Sequence, residues 1–210
     1  MNDVLRRTAA AARAELKSGA LRGAVLLDRL LSVPASERDP WTDELLGLPE
    51  PPPDLGDLPA GAVPYLPAGV DEILTMVLEA PLRPDDQLVD LGSGLGRVVL
   101  LAHLVSGARA CGVELQKPLV DCAMACCAAL ALADVSFIHA NAADVELDGS
   151  IFFFYSPFTG ETRTRVLRRL EDLARRRPII LCAVGCEISG ARWLRRRETS
   201  SPALTLYDST

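Results

Sequence analysis

Val89-Asp90-Leu91-Gly92-Ser93-Gly94-Leu95-Gly96-Arg97 decides how the rest of this chain is read. An apolar run leads into three alternating glycines, and a second apolar stretch, Val98 to Val105, leaves them at helical spacing. Strand, glycine turn and helix, in that order, are what a nucleotide-type site requires. Glycine lets the backbone turn sharply and lets a ligand approach where a Cβ would collide. Unpaired amides at the start of the helix would then face that ligand.

Outward from this segment, short apolar runs alternate with helical stretches, the pattern of βαβ units around a parallel sheet. Strands are expected at 87–91, 108–114, 135–140, 150–155 and 178–184, and helices at 97–105, 117–131 and 161–175. Two further short strands, 191–198 and 203–207, follow with no room for a helix between them. The expected fold class is α/β: a three-layer αβα sandwich on a seven-stranded, mostly parallel sheet whose last strand is antiparallel. Upstream, residues 1–33 are expected as an N-terminal helical segment, broken by Gly19 and Gly23 and ended by Pro34. Residues 34–67 are rich in proline and are expected to connect or wrap without regular structure. Residues 68–210 then form the main domain, opening with a helix that Pro81 and Pro84 stop.

The second strand ends in Gly112-Val113-Glu114, 24 residues after Asp90. A carboxylate at that tip is where such folds hold a pair of ribose hydroxyls. The glycine spacing separates cofactors. A dinucleotide turn reads G-x-G-x-x-G, whereas here the glycines alternate and Asp90 stands two positions before the first. So close to a pyrophosphate a carboxylate would be repelled, but for a ligand carrying an amino group and a sulfonium it is a useful acceptor.

With those residues in place, VDLGSGLGR followed by GVEL resembles the first two motifs of the seven-strand, class I S-adenosylmethionine-dependent methyltransferases. The resemblance covers about residues 65–207. It implies that Asp90, Gly92, Ser93, Gly94 and Gly96 hold the amino-acid part of S-adenosylmethionine, and that Glu114 and Leu115 contact its ribose and adenine. It also implies that Asp144, in Asn141-Ala142-Ala143-Asp144, lies beside the adenine, although this residue is equally placed to cap a turn. Together with Tyr65-Leu66-Pro67, the motif is closest in character to the protein-lysine methyltransferases outside the SET class. The tyrosine either orders a loop over the cofactor or simply packs.

The fourth strand ends Phe152-Phe153-Phe154-Tyr155-Ser156-Pro157-Phe158. Ligands in this architecture sit outside the carboxyl ends of the strands, so this is the acceptor side. Amino-methylating relatives often carry Asn or Asp, then Pro-Pro and an aromatic; here the order is Ser-Pro-Phe. Tyr155, Ser156 and Phe158 are the candidate catalytic residues, with the alternative that the run is only a buried strand. Methyl transfer is an in-line displacement, so the protein chiefly aligns and desolvates the nucleophile. A neutral amine, such as a lysine side chain, is the expected acceptor. A small-molecule or RNA acceptor is the alternative, then a non-catalytic S-adenosylmethionine-binding interaction domain, and last a nicotinamide oxidoreductase.

Composition narrows the rest. The net charge is −6, divided into −11 over residues 1–150 and +5 over residues 151–210. The arginines of the last third therefore offer a nucleic-acid surface as a lesser expectation, opposed by the acidic whole. Mean hydropathy is +0.19, but Asp121 and Asp134 close the longest apolar stretch well short of the ~18 residues of a membrane span. Asp3 and Glu15 argue against a targeting peptide, and a cytoplasmic protein is expected. Six cysteines without paired CxxC knuckles are expected as reduced, buried thiols, with no metal. Of the two histidines, His103 is expected to pack and His139 is a minor candidate near the cofactor.

Overall fold

The computed structural model describes residues 3–210. Five strands, β1 (Gln87–Leu91), β2 (Arg109–Glu114), β3 (Val135–His139), β4 (Ile151–Tyr155) and β5 (Ile180–Val184), are parallel. Two more, β6 (Leu194–Glu198) and β7 (Leu204–Ser209), complete a sheet of order β3-β2-β1-β4-β5-β7-β6. β7 runs antiparallel to both β5 and β6. The closing hairpin thus inserts its second strand beside β5 and leaves its first at the edge. The order reverses between β1 and β4, which opens a crevice at their carboxyl ends.

Side chains alternate across each strand, and the two faces bury different partners. Leu88, Phe153, Cys182 and Leu206 share one core with α4 (Val70–Glu79), α5 (Arg97–Ser106), α6 (Lys117–Ala129) and the N-terminal helices. Val89, Phe152, Leu181 and Tyr207 share the other with α7 (Gly160–Ala174), through Val166, Leu170 and Leu173. Helix α5 is buried at eight of its ten positions because it lies between the sheet and a second layer of helices. This is why its sequence is apolar all round rather than striped.

The N-terminal helices are α1 (Asp3–Lys17), α2 (Gly23–Ser32) and α3 (Ala35–Leu46). The third corrects the expectation that residues 34–67 lack regular structure. Its prolines hid it: Pro34 stands at the N-cap, where it costs little, while Pro40 lies inside the helix and removes one i→i−4 hydrogen bond, a loss that burial of the neighbouring side chains outweighs. Trp41, Leu45 and Leu46 bury the inner face, and Gly47, at φ 72°, ends it with its N–H on the Asp43 and Glu44 carbonyls. The Trp41 indole N–H donates to Thr8 Oγ1 at 3.0 Å, tying α3 to α1. Residues 48–69 are the irregular part, and they cross the crevice as a strap.

All six cysteines are free thiols and four are buried. Among the described residues no helix is long and apolar enough to cross a membrane, and no group of side chains has the makings of a metal site.

Candidate functional site

The crevice at the tips of β1, β2 and β4 holds a cavity of about 1130 Å³ of empty space, open solvent at its mouth included. Asp90 and Glu114 both line it, at 2% and 7% exposure. Adjacent parallel strands in register put them there: Asp90 pairs with Gly112, two residues before Glu114. Glu114 is well provided for. Its Oε2 accepts the Gly94 N–H at 2.9 Å and its Oε1 the Gln116 N–H at 2.8 Å. The Asp90 carboxyl group accepts no hydrogen bond among the described residues. Burial, and after it the nearby Glu114 carboxylate, push Asp90 well above the usual carboxylate range. A carboxyl group held this way is stabilised by a cationic ligand.

Four amides of the glycine turn are paired within the chain: Gly92 and Ser93 donate to the Val113 carbonyl, Gly94 to Glu114, and Gly96 to the Ser93 carbonyl. The room left by the missing side chains is also taken by the chain itself. A Cβ on Gly92 would lie 2.3 Å from Pro157, and one on Gly94 would lie 2.2 Å from the Tyr65 ring. Both residues have positive φ, so glycine is required twice over. Gly96 likewise packs on Phe137 of β3, away from the cavity. The glycines bring the loop after β4 and the strap close to the turn, and the cavity lies between them. Gly92 and Ser93 line it; Gly94 does not. The Ser93 hydroxyl is buried without a partner and sits above Gly112.

Tyr65 lies on the strap, and burial pushes its hydroxyl up to about 12. Leu58, Val63 and Leu66 line the same wall. The strap is held on both sides of the mouth. Near β4 the Thr159 N–H donates to the Gly61 carbonyl at 2.8 Å, and Ala62 bridges to Phe158. Near β2 the Gln116 side chain binds Asp54 and Leu55. At its far end Arg97, 6% exposed, fixes the helices beneath. The guanidinium donates through Nε and Nη2 to the two oxygens of Asp43, at 2.8 and 2.6 Å, and through Nη1 to the Ala68 carbonyl at 2.7 Å. Sequence reasoning gave no role to Arg97, the last residue of the glycine motif, or to Gln116, which directly follows GVEL.

At the end of β4, Tyr155, Ser156 and Phe158 all line the cavity. Ser156 has φ 41°, a left-handed conformation that a non-glycine residue holds only under constraint. Phe158 is kept in place by the Ala62 bridge and by the Phe154 ring, 6.4 Å away between centroids. Leu115 lines the β2 side beside Ala140, Asn141 and Ala142. Asp144 is not brought to this cavity. Its carboxylate pairs with Arg165 of α7 and its N–H donates to the Asn141 carbonyl, which makes it a turn residue. His139 Nε2 lies 3.0 Å from the Leu115 carbonyl and outside the cavity, while His103 Nδ1 meets the Ala108 carbonyl at 2.8 Å.

The family described as "Histone methylation protein DOT1" matches residues 68–143. No curated protein matches the chain. Among solved structures, an RNA methyltransferase from Salinibacter ruber in complex with S-adenosyl-L-homocysteine is 23% identical, with a TM-score of 0.56 over 69% of this chain and 93% of that one. The putative methyltransferase yhhF from Escherichia coli is 20% identical, with a TM-score of 0.53 over 71% of this chain and 91% of that one. Magnesium protoporphyrin IX methyltransferase from Synechocystis PCC 6803 with bound S-adenosyl-L-homocysteine is 14% identical, with a TM-score of 0.50 over 67% and 80% respectively. These likenesses, with the strand order, show one fold, that of the class I S-adenosylmethionine-dependent methyltransferases.

Proposed function

We propose that this chain, which has the class I methyltransferase fold, binds S-adenosylmethionine and transfers its methyl group to an amine, a protein lysine being the leading acceptor. The observation that carries the reading is Asp90: a carboxyl group 2% exposed, without a hydrogen bond among the described residues, on the wall of the cavity. The groups present suit this cofactor. Asp90 accepts from an ammonium, Glu114 keeps lone pairs for ribose hydroxyls, and Leu115, Leu119 and Ala142 give an apolar bed for a ring. When bound, S-adenosylmethionine supplies a methyl group activated by positively charged sulfur.

The chain's own part in the reaction is alignment. Tyr155 and Phe158 desolvate an entering amine, which favours its neutral, nucleophilic form. Ser156 offers a hydroxyl and a carbonyl at the mouth, where the amine must be aimed. The lining contains no histidine, and its carboxylates stand at the tips of β1 and β2, on the cofactor side. With no such base beside Tyr155 to Phe158, the amine has to arrive in its neutral form.

Charge supports a basic acceptor. Residues 39–82, which include the strap, hold nine Asp and Glu and no Lys or Arg. The arginines of the last third are largely occupied within the chain: Arg177 with Asp148, Arg197 with Asp208, and Arg169 with the Ala143 and Val145 carbonyls. This weighs against an RNA acceptor, whose phosphates need free cations. A small-molecule acceptor is the second reading, favoured by the strap bridged to Phe158 over the mouth. The free thiols suit a reducing, cytoplasmic setting.

Thermal-shift measurements with S-adenosylhomocysteine and with nicotinamide nucleotides test the cofactor, since a ligand that binds the folded state raises the melting temperature. Stabilisation by the former alone is expected; stabilisation only by the latter refutes the reading. Labelled-methyl transfer into a lysate, counted separately in protein, RNA and small-molecule fractions, then tests the acceptor. Counts in protein, lost after lysine blocking, are expected, and no counts in any fraction would leave a binding domain without catalysis.

A further inference from the structure

We propose that Asp54 and Gln116 are positioning residues that latch the strap over the adenosyl end of the cavity, and so set how fast an adenosyl ligand leaves. The proposal rests on the reading of this cavity as an S-adenosylmethionine site.

Gln116 is 4% exposed, and both ends of its side-chain amide are committed to the strap. Its Nε2 donates to Asp54 Oδ1 at 2.7 Å, and its Oε1 accepts the Leu55 N–H at 2.9 Å. The same Asp54 oxygen accepts the Tyr65 N–H at 3.0 Å, so the two ends of the strap are drawn together at one atom. The Gln116 interaction, followed by that of the Tyr65 amide, holds the Asp54 carboxyl below its usual range.

These contacts close a circuit. Tyr65 covers Gly94, the Gly94 N–H donates to Glu114 Oε2, and Glu114 Oε1 accepts the Gln116 N–H. Gln116 returns through Asp54 to Tyr65. A ligand between the strap and the tip of β2 cannot leave on that side without opening the ring at its exposed member, Asp54. The opposite edge stays hinged through Gly61 and Ala62. Little else holds the latched edge: residues 48–60 form no helix or strand, and Leu55 is 44% exposed. Closure there depends on a few polar contacts, weak enough to be reversible.

The test measures the dissociation rate of S-adenosylhomocysteine by stopped-flow displacement from wild type, Asp54→Ala and Asp54→Asn, with hydrogen–deuterium exchange of residues 54–67 in the ligand-free proteins. Asp54→Ala is expected to raise the off-rate about tenfold, the scale of one charge-assisted hydrogen bond. Faster exchange at the Leu55 and Tyr65 amides should accompany it. Asn keeps an accepting oxygen without the charge, so Asp54→Asn should release at a rate between those of wild type and Asp54→Ala; a merely structural residue would not sort the two variants this way. An off-rate unchanged in Asp54→Ala, or equally fast in both variants, overturns the latch while leaving the cofactor reading intact. Failure of wild type to bind S-adenosylhomocysteine at all removes both.

Discussion

Replacing Asp90 with Asn should make the ligand-free protein more stable and its ligand binding weaker, a split that few other substitutions here would produce. In the folded chain the Asp90 carboxyl is 2% exposed, lacks a hydrogen bond among the described residues and faces Glu114. Its folded pKa therefore lies above the unfolded value of about 3.9. Between those two values the unfolded chain has lost the proton that the folded chain keeps, so stability falls as pH rises through that window and levels off above the folded pKa. The amide is nearly isosteric and cannot ionise, so it avoids the cost of burying a charge while keeping that of a buried polar group. Relief of about 2 kcal/mol at pH 7 follows from the scale of an unsatisfied buried charged group. For a chain of this size that is roughly 4–8 °C in melting temperature. Binding should move the other way: loss of a charge-assisted contact with the ligand's ammonium weakens S-adenosylhomocysteine by about tenfold or more. Differential scanning calorimetry at pH 4, 6 and 8, with and without S-adenosylhomocysteine, reads both effects. The gain in the variant should be small at pH 4 and larger at pH 8. A variant less stable than wild type at pH 8, or one binding with wild-type affinity, would refute the assignment of Asp90 as an unpartnered acid awaiting a cation.

Glu114→Ala removes the acceptor for both the Gly94 and Gln116 amides; titration calorimetry should find S-adenosylhomocysteine weakened by more than about 1 kcal/mol. Arg97→Met strands Asp43 and the Ala68 carbonyl, and the loss of a buried paired cation should cost about 3 kcal/mol, a fall of roughly 6–12 °C. A fall under about 2 °C would mean that the N-terminal helices are not held through this guanidinium. Thiol titration of the native protein with Ellman's reagent should modify the half-buried Cys122 and Cys186 first. Cys182 should react only after unfolding, because burial pushes its thiol far up and thiolate is the reacting form.

Sequence alone determined the elements whose signals are local. Strand β1, the turn and α5 were legible because an apolar run, three glycines and a helical apolar stretch follow one another within twenty residues. The later strands and helices followed from the same alternation, and so did the places of Asp90 and Glu114 at strand tips. That the segment from Tyr155 to Phe158 reaches the crevice was legible because a strand's end marks it. In α3 the signals were present but outvoted: Trp41 and Leu45 stand four apart and Gly47 closes the helix, yet the neighbouring prolines read as irregular chain.

What only the tertiary structure decided are contacts between residues far apart along the chain. Arg97 meets Asp43 across 54 positions and Gln116 meets Asp54 across 62, distances over which periodicity carries no signal. Asp144 pairs with Arg165 because α7 packs beside its turn, and no local pattern could draw it from the cavity. The glycines were identified from sequence, but their occupants, Pro157, Tyr65 and Phe137, come from three separate segments. A backbone without side chains specifies that something approaches closely. Which group approaches is settled only when the sheet, the strap and the loop after β4 compete for the same space.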